Sequence, residues 1–168
     1  MRILGIDPGL THTGWGVIDV AGSRLSYVAS GRISAGTALP LADRLAYIYA
    51  ELSRVIALYE PRYAAVEQTF VNANPASALK LGQARGVALA APAGAGVHVA
   101  EYAANLIKKS VVGAGHADKN QIQMMIRILL PKSGDLTPDQ ADALAVAITH
   151  AHHVKDDHHK EVSQCSRA

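Results

Sequence analysis

The sequence predicts an α/β fold: a mixed five-stranded sheet, with three antiparallel strands followed by parallel crossovers, flanked by helices. Two observations support this prediction. Three strand-like segments separated by short turns come first in the chain, and two further strand-like segments then alternate with segments of helical periodicity. Strands joined by tight turns pair antiparallel, whereas strands separated by a helix pair in parallel.

Turn residues bound the first three strands. Residues 3–7 are apolar and end before Pro8-Gly9, and residues 15–20 resume a strand-like pattern. A turn at residues 21–23 leads into residues 25–33, whose alternation of apolar side chains suits a strand with one solvated face. These segments form the predicted antiparallel part of the sheet.

The middle of the chain predicts a helix followed by a fourth strand. Apolar residues recur every three to four positions over residues 41–59, namely at Leu41, Leu45, Ile48, Leu52, Val55 and Tyr59. Pro61 ends this helix. The short apolar run at residues 63–66 then ends at Glu67, just as the first strand ends at Asp7. If these two strands are parallel neighbours, their carboxylates share one edge of the sheet.

The second half predicts one more strand and four helices. Asn74 suits an N-cap before Pro75, and Pro92 and Gly94 suit the end of that helix, near residue 91. Residues 97–100 form the predicted fifth strand, and helices are expected over residues 102–109, 118–130 and 138–152. We expect one nuclease domain over residues 1–153 and a flexible polar tail over residues 154–168.

Two further acids belong to the last predicted helix. Asp139 and Asp142 are three residues apart and therefore project from the same helix face. Thr137 and Gln140 form a capping box that fixes where this helix begins. Asp139 also has a purely structural explanation, since an acid in the first turn favours the helix dipole. Asp142 lies within a small apolar run that must pack, so it needs a partner.

Together, Asp7, Glu67, Asp139 and Asp142 predict a catalytic metal site. Asp7 alone could simply open the turn before Pro8, but four converging carboxylates repel one another unless cations neutralise them. Oxygen ligands select Mg²⁺, with Mn²⁺ as a substitute. Two such ions would activate water and stabilise the leaving oxygen of a phosphodiester. No P-loop or Gly-x-Ser-x-Gly motif offers a rival chemistry.

Several segments, in order and spacing, resemble the RuvC family of bacterial Holliday junction resolvases. The resemblance reaches to about residue 150 and rests on Gly5-Ile6-Asp7-Pro8-Gly9, Val66-Glu67-Gln68, residues 77–86, Glu101-Tyr102-Ala103, residues 109–113 and residues 139–145. It implies a ribonuclease-H-like fold and a homodimer. It also implies paired cuts in opposed strands of a four-way DNA junction that leave 5′ phosphates, in recombination and DNA repair.

The resemblance further implies functional residues and partners. Asp7, Glu67, Asp139 and Asp142 match the family's catalytic acids, and the branch-migration proteins RuvA and RuvB are the implied partners. Phe70 matches an aromatic residue of the family and would stack on an unpaired base, unless it packs into the core. Lysines that would contact DNA phosphates, with Arg85 a similar candidate, are Lys80, Lys108 and Lys119.

Glycines and histidines in the second half leave alternatives open. Gly82 and Gly86 are four residues apart on one helix, where glycine is unfavourable without a packing reason. They predict close approach either of a second copy of this helix or of the chain's own sheet. The histidine-rich segment from His150 onward matches no defined zinc motif, and His116 lies in a glycine-bearing loop without an assigned catalytic role.

Composition narrows the class of protein without identifying it. The chain has 168 residues, a formal net charge of +2 and a single cysteine, Cys165, which can form no internal disulfide. No apolar run approaches the roughly 18 residues of a membrane span, and no signal peptide is evident. We therefore expect a cytoplasmic protein without a membrane partner.

Three rival functions remain at this stage. Gly-Ile-Asp-x-Gly at residues 5–9 also begins the phosphate-binding hairpin of actin-like and sugar-kinase ATPases, although those enzymes need two such lobes. A junction-binding protein that does not cleave would leave the four acids unexplained. A ribonuclease-H-like nuclease acting on another structured nucleic acid, such as ribosomal RNA precursors, is the closest rival in fold.

Overall fold

The computed structural model describes residues 1–68, 74–113 and 118–165, with side chains described up to residue 154. Its elements are β1 (Arg2–Asp7), β2 (His12–Ala21), β3 (Arg24–Ser34), α1 (Leu41–Tyr59), β4 (Tyr63–Gln68), α2 (Pro75–Gly94), β5 (His98–Ala103), α3 (Ala104–Val112), α4 (Lys119–Leu129) and α5 (Pro138–Cys165), with a 3₁₀ turn at Pro131–Ser133.

The strands form one mixed sheet in the order β3-β2-β1-β4-β5. β1 pairs antiparallel with β2, and β2 with β3, whereas β4 pairs in parallel with both β1 and β5. The predicted fold class is confirmed, including the adjacency of the first and fourth strands. Ile3 is opposite Tyr63, and Ile6 is opposite Val66, so the two strands end side by side.

Each face of the sheet has its own core. Leu4, Ile6 and Val66 point towards α1 and α2, where they pack with fully buried residues such as Leu52. Ile3 and Ala65 point the opposite way, into a core formed with α3, α4 and α5. Because side chains alternate along a strand, every second residue of β1 and β4 faces α5.

Glycines allow α5 to lie directly on the sheet. A Cβ atom at Gly5 would come within 2.0 Å of the Ala143 carbonyl oxygen, and one at Gly16 within 2.6 Å of a Leu144 side-chain carbon. Ala143 and Leu144 are fully buried. The close approach sets the distance between the sheet and the acidic residues that α5 carries.

Several predicted boundaries were wrong. α2 continues past Pro92 to Gly94, because burial of Ala88 and Ala91 against the sheet compensates for the missing N–H in the last turn. β5 extends to Ala103, and Tyr102, predicted to be helical, pairs with Glu67. Strand pairing, a tertiary interaction, overrides the local helical pattern there.

The last helix is longer than predicted. The backbone of α5 is helical to Cys165, beyond the expected end at residue 152, because its polar continuation lacks the apolar periodicity by which the sequence locates helices. The division into a domain over residues 1–153 and a tail over residues 154–168 stays a prediction. None of the described helices is both long and apolar enough to cross a membrane.

Candidate active site

The sheet places Asp7 and Glu67 beside each other. Both lie at the carboxyl ends of adjacent parallel strands, and each directly follows a member of the last β1–β4 pair, Ile6 and Val66. Both lie two residues beyond positions that face α5, namely Gly5 and Ala65. Strand alternation therefore directs both carboxylates to the α5 side of the sheet.

The start of α5 brings the other two acids to the same edge. The Thr137 backbone N–H donates to Gln140 Oε1 at 2.9 Å, and the Gln140 N–H donates to Thr137 Oγ1 at 3.4 Å, which forms the predicted capping box. Gly14 of β2 packs against the Asp139 backbone and fixes the height of this first turn above the sheet.

Asp7, Glu67 and Asp142 line one cavity of about 550 Å³. Lys108 of α3 and Lys119, the first residue of α4, line the same cavity, as does Asp118. Lys119 has its place because Asp118 caps α4 through a capping box with Gln121. Two of the predicted DNA-binding lysines thus lie beside three of the predicted acids.

Burial and mutual repulsion raise the pKa values of these acids. Burial is the largest cause for Asp7, followed by the charges of Glu67, Asp142 and Asp139, and together they raise the pKa of Asp7 to about 8. Burial, and then the charge of Asp142, raises the pKa of Glu67. The pKa of Asp142 is also raised, chiefly by burial. Such strongly perturbed carboxyl groups in one cavity are typical of functional sites.

Lysine charges partly offset this repulsion. Lys119 lowers the pKa values of Asp7, Glu67 and Asp142, and Lys108 lowers those of Glu67 and Asp142. Burial and repulsion nevertheless outweigh both lysines, because all three acids keep a pKa above the ordinary value. Positive charge in addition to the two lysines would therefore stabilise the ionised acids.

The donor set fits hard divalent cations. The charge of Glu67 raises the pKa of Asp7, and a cation between these two carboxylates would relieve their repulsion. Carboxylate oxygens are ligands for Mg²⁺ and Mn²⁺ rather than for softer ions. Among the described residues, no three acidic, histidine or cysteine side chains are already arranged around a single ion. Binding of one ion by three of these acids would therefore require side-chain rotation.

Asp139 differs from the other three acids. It lies outside the wall of the cavity, although its charge raises the pKa values of Asp7 and Asp142. Its Oδ2 is 3.7 Å from Nη1 of Arg32, which reaches it from β3. The structure thus assigns Asp139 to the rim of the site, next to an arginine.

The remaining candidates for DNA contact have different surroundings. Lys80 is exposed on α2 and does not line the acidic cavity. Arg85 Nε donates to Glu101 Oε1 at 2.8 Å, so this arginine has a partner within the chain. Phe70 and His116 lie outside the described residues, and the stacking role of Phe70 stays a prediction.

Gly82 and Gly86 face open space. A Cβ atom at either position would meet no atom of the described residues within 4 Å, and both residues are exposed. The alternative that these glycines allow α2 to pack on the chain's own sheet is therefore wrong. Leu79, one turn before Gly82, is 67% exposed, and it gives the same helix an uncovered apolar residue.

Two features of the site region were not predicted from the sequence. Gly5, Gly14 and Gly16 set the position of α5. Glycine in the interior of a strand often marks the close approach of another backbone, so these positions could have indicated the contact. His150, assigned to a histidine-rich segment, is 5% exposed, and its Nδ1 is 2.8 Å from Tyr102 Oη. It directly follows an unbroken run of buried residues in α5, and the apolar sequence of that run could have indicated that His150 is buried too.

Comparison with known proteins identifies the family. The model of the family described as crossover junction endodeoxyribonuclease RuvC matches residues 3–150. The chain belongs to the RuvC family. A relative from Afipia carboxidovorans, named crossover junction endodeoxyribonuclease RuvC, is 65% identical over 153 residues, which cover 91% of this chain and 90% of the relative.

Solved structures agree with this membership. RuvC from Thermus thermophilus is 34% identical, with a TM-score of 0.84 over 94% of this chain and 97% of that one. The same RuvC in complex with a Holliday junction substrate has a TM-score of 0.87, also at 34% identity, over 94% and 96% of the two chains. The resemblance seen in the sequence and the ribonuclease-H-like fold are thus confirmed, and the family is one of nucleases.

Proposed function

We propose that this protein is a Holliday junction resolvase, which hydrolyses phosphodiesters in opposed strands of a four-way DNA junction and leaves 5′ phosphates. The observation that carries the proposal is the single cavity lined by Asp7, Glu67 and Asp142 together with Lys108 and Lys119. Family membership supports the same reaction, and RuvC from Thermus thermophilus has been solved in complex with a Holliday junction substrate.

The acids and lysines divide the work of the proposed reaction. Asp7, Glu67, Asp139 and Asp142 would hold two Mg²⁺ ions per site, for which Mn²⁺ can substitute. When bound, such ions supply charge neutralisation and an activated water. Lys108 and Lys119 bind the phosphate backbone beside the acids, which lowers the repulsion between the cavity and a polyanion. Phe70 stacks on a base, and Lys80 is a further residue that contacts DNA.

A homodimer would give two such sites for two cuts. The exposed residues Leu79, Gly82 and Gly86 share one face of α2. No atom of the described residues lies within 4 Å of a Cβ placed on either glycine. Two copies of this face related by a twofold axis would match the twofold symmetry of the junction. RuvA and RuvB as partners, and a cytoplasmic location, also belong to the proposal.

Cleavage of a mobile four-way junction tests the proposed reaction. With Mg²⁺ we expect symmetric nicks with 5′ phosphates, and no nicks from Asp7→Asn or Asp142→Asn, which should still bind the junction. Asp43→Asn is the matched control, because Asp43 is an exposed acid in the first turn of α1, and it should cut normally. Equal cutting of linear duplex and junction, or full activity of either site variant, would contradict the proposal.

Sedimentation tests the dimer separately. Leu79→Glu should convert the dimer to a monomer, since it places a charge on the proposed contact. Leu58→Glu is the control, because Leu58 is 71% exposed on α1 and Leu79 is 67% exposed on α2. A wild-type monomer with unimpaired paired cutting, or equal effects of the two variants, would argue against this interface.

A further inference from the structure

The edge of the sheet that carries the acids continues beyond them onto β2 and β3. β2 begins and β3 ends at the edge where β1 ends, because both pairings are antiparallel. Asp7 is opposite Gly14, Gly14 is opposite Arg32, and His12 is opposite Ser34. Residues directly opposite one another share a face of the sheet, so all of them lie on the α5 side.

Arg32 therefore flanks the acids on the side away from the lysines. Lys108 and Lys119 come from α3 and α4, and they approach the cavity from the helical layer. Arg32 comes from β3, two strands away from Asp7, and reaches the rim at Asp139. The acids thus lie between two groups of basic side chains.

The negative charge around the cavity would repel a DNA strand unless basic side chains offset it. The acids at this edge are Asp7, Glu67, Asp118, Asp139 and Asp142, and only two lysines line the cavity with them. A DNA strand that continues from the cavity towards β3 passes this rim, where Arg32 lies beside Asp139. The strands β2 and β3 contain only two basic side chains of permanent charge, Arg24 and Arg32, and Arg24 is at the opposite end of β3.

Arg32 is also free to change partners. Its Nη1 is 3.7 Å from Asp139 Oδ2, longer than a hydrogen bond, and the two side chains are 43% and 29% exposed. An ion pair of this kind contributes little to stability. Next to it, Nδ1 of exposed His12 lies 3.1 Å from Ser34 Oγ, which holds the imidazole ring at the same edge.

We propose that Arg32, assisted by His12, binds a backbone phosphate of the cut DNA strand on the β3 side of the acids, opposite the lysines. The strand would then be held at phosphates on both sides of the bond to be cut, with Arg32 exchanging Asp139 for the phosphate. Arginine suits this position, because its guanidinium donates two parallel hydrogen bonds to a phosphate. The inference rests on the proposed function, because it assumes that nucleic acid crosses this edge.

The salt dependence of junction binding tests the inference. The parent is the Asp7→Asn protein in Mg²⁺, which binds without cutting. Adding Arg32→Gln should weaken binding roughly tenfold and reduce the slope of log Kd against log salt concentration by about 0.9 for each Arg32 that contacts a phosphate. Arg32→Lys should retain most of the slope. His12→Ala should weaken binding by a smaller factor than Arg32→Gln, because the imidazole only assists the contact that the guanidinium makes.

A matched arginine provides the control. Arg54 also forms an exposed ion pair, with Glu51 at 2.9 Å, but it lies on α1 at the other face of the sheet. Arg54→Gln should leave both affinity and slope unchanged. The Mg²⁺ dependence of the melting temperature, measured without DNA, should be the same for Arg32→Gln and for its parent.

Two results would overturn the inference in distinguishable ways. If the Asp7→Asn parent does not bind junctions, the proposed function fails and the inference fails with it. If the parent binds and Arg32→Gln keeps the full slope, only the inference is wrong. A changed Mg²⁺ dependence together with an unchanged slope would assign Arg32 to the positioning of Asp139 instead.

Discussion

Gly14 lies beneath Asp139 so closely that a methyl group on Gly14 would come within 2.1 Å of the Asp139 carbonyl oxygen. The contact joins the strand next to β1 to the first turn of α5. Asp139 belongs to that turn, and Asp142 follows one turn later. The height of α5 above the sheet at this point therefore sets where both carboxylates lie relative to Asp7.

Gly14→Ala should damage both stability and cleavage. The methyl group must displace the start of α5, and overpacking of this kind costs about 1 to 3 kcal/mol of unfolding free energy. Cleavage should fall by roughly 100-fold, because a displacement of about 1 Å is enough for such a loss. Urea unfolding and single-turnover nicking measure the two effects. Gly36→Ala is the control, since a Cβ there meets only Leu39 at 3.9 Å; similar losses in both variants would contradict the explanation.

Asp7→Asn should stabilise the metal-free protein at alkaline pH. Because the pKa of Asp7 is raised from 3.8 to about 8, the folded state binds more protons than the unfolded state between these values, and stability falls as the pH rises through that window. One pKa unit corresponds to about 1.4 kcal/mol, so a gain of about 2 to 4 kcal/mol at pH 8.5 in EDTA is expected.

The control for this prediction has the opposite sign. Arg2 donates hydrogen bonds to Asp19 and lowers its pKa, so the contribution of Asp19 to stability is present above the unfolded pKa and is lost as the pH falls. Asp19→Asn should therefore destabilise the protein at pH 8.5. Chemical denaturation of both variants decides the matter, and a destabilised Asp7→Asn protein would refute the electrostatic account of the cavity.

Lys119→Met should move the pH dependence of cleavage. Lys119 lowers the pKa values of Asp7, Glu67 and Asp142, so its removal lets all three rise and makes cations compete with protons up to a higher pH. The acidic limb of the pH–rate profile, measured at fixed Mg²⁺, should shift towards alkaline pH. Lys132→Met, in the 3₁₀ turn next to β3, should not shift it. A lower plateau without a shift would show that Lys119 acts on DNA alone.

His150 should make the protein sensitive to acid. Burial, with a smaller effect from His153, lowers the pKa of His150 from 6.5 to about 4. The unfolded state therefore binds more protons between these values, and stability falls as the pH falls from 6.5 towards 4, by about 2 to 3 kcal/mol. His150→Asn should lower stability at neutral pH, because the smaller side chain leaves a cavity. It should also reduce the loss of stability between pH 6.5 and pH 4, because the buried imidazole is gone.

Exposed His98 serves as the comparison for His150. Its ring also stacks on Tyr63, at 5.7 Å against 5.2 Å for His150. His98→Asn should keep the acid-induced decline, as followed by denaturant unfolding from pH 4 to pH 7. An undiminished decline in the His150→Asn protein would assign the acid sensitivity to other groups.

The convergence of Asp7, Glu67 and Asp142 on one cavity could be predicted because the sequence signals of the candidate acids are local. Asp7 and Glu67 end apolar runs, and the Asp139–Asp142 spacing is a property of one helix. What completes the site is not local. The ion pair between Arg32 and Asp139 depends on strand register and on where α5 lies, and neither residue's neighbours in sequence indicate the other.

The same distinction explains the errors in element boundaries. Tyr102 was predicted to be helical because it precedes a helical pattern, but pairing with Glu67 extends the strand by tertiary contact. What packs against Gly82 and Gly86 could not be predicted, because periodicity shows which residues share a helix face and not what covers that face. The open space beside both glycines answers that question for a single chain.

The chain order of the acids has a consequence for biosynthesis. Asp7 and Glu67 are translated early, and the strands that carry them can pair once α1 has formed, but the acids of α5 follow about seventy residues later. A nascent chain that stops before α5 lacks both these acids and the helix that covers one face of the sheet. The proposed hydrolytic centre is thus complete only after α5 has been synthesised, and we expect a polypeptide that stops before α5 to lack nuclease activity.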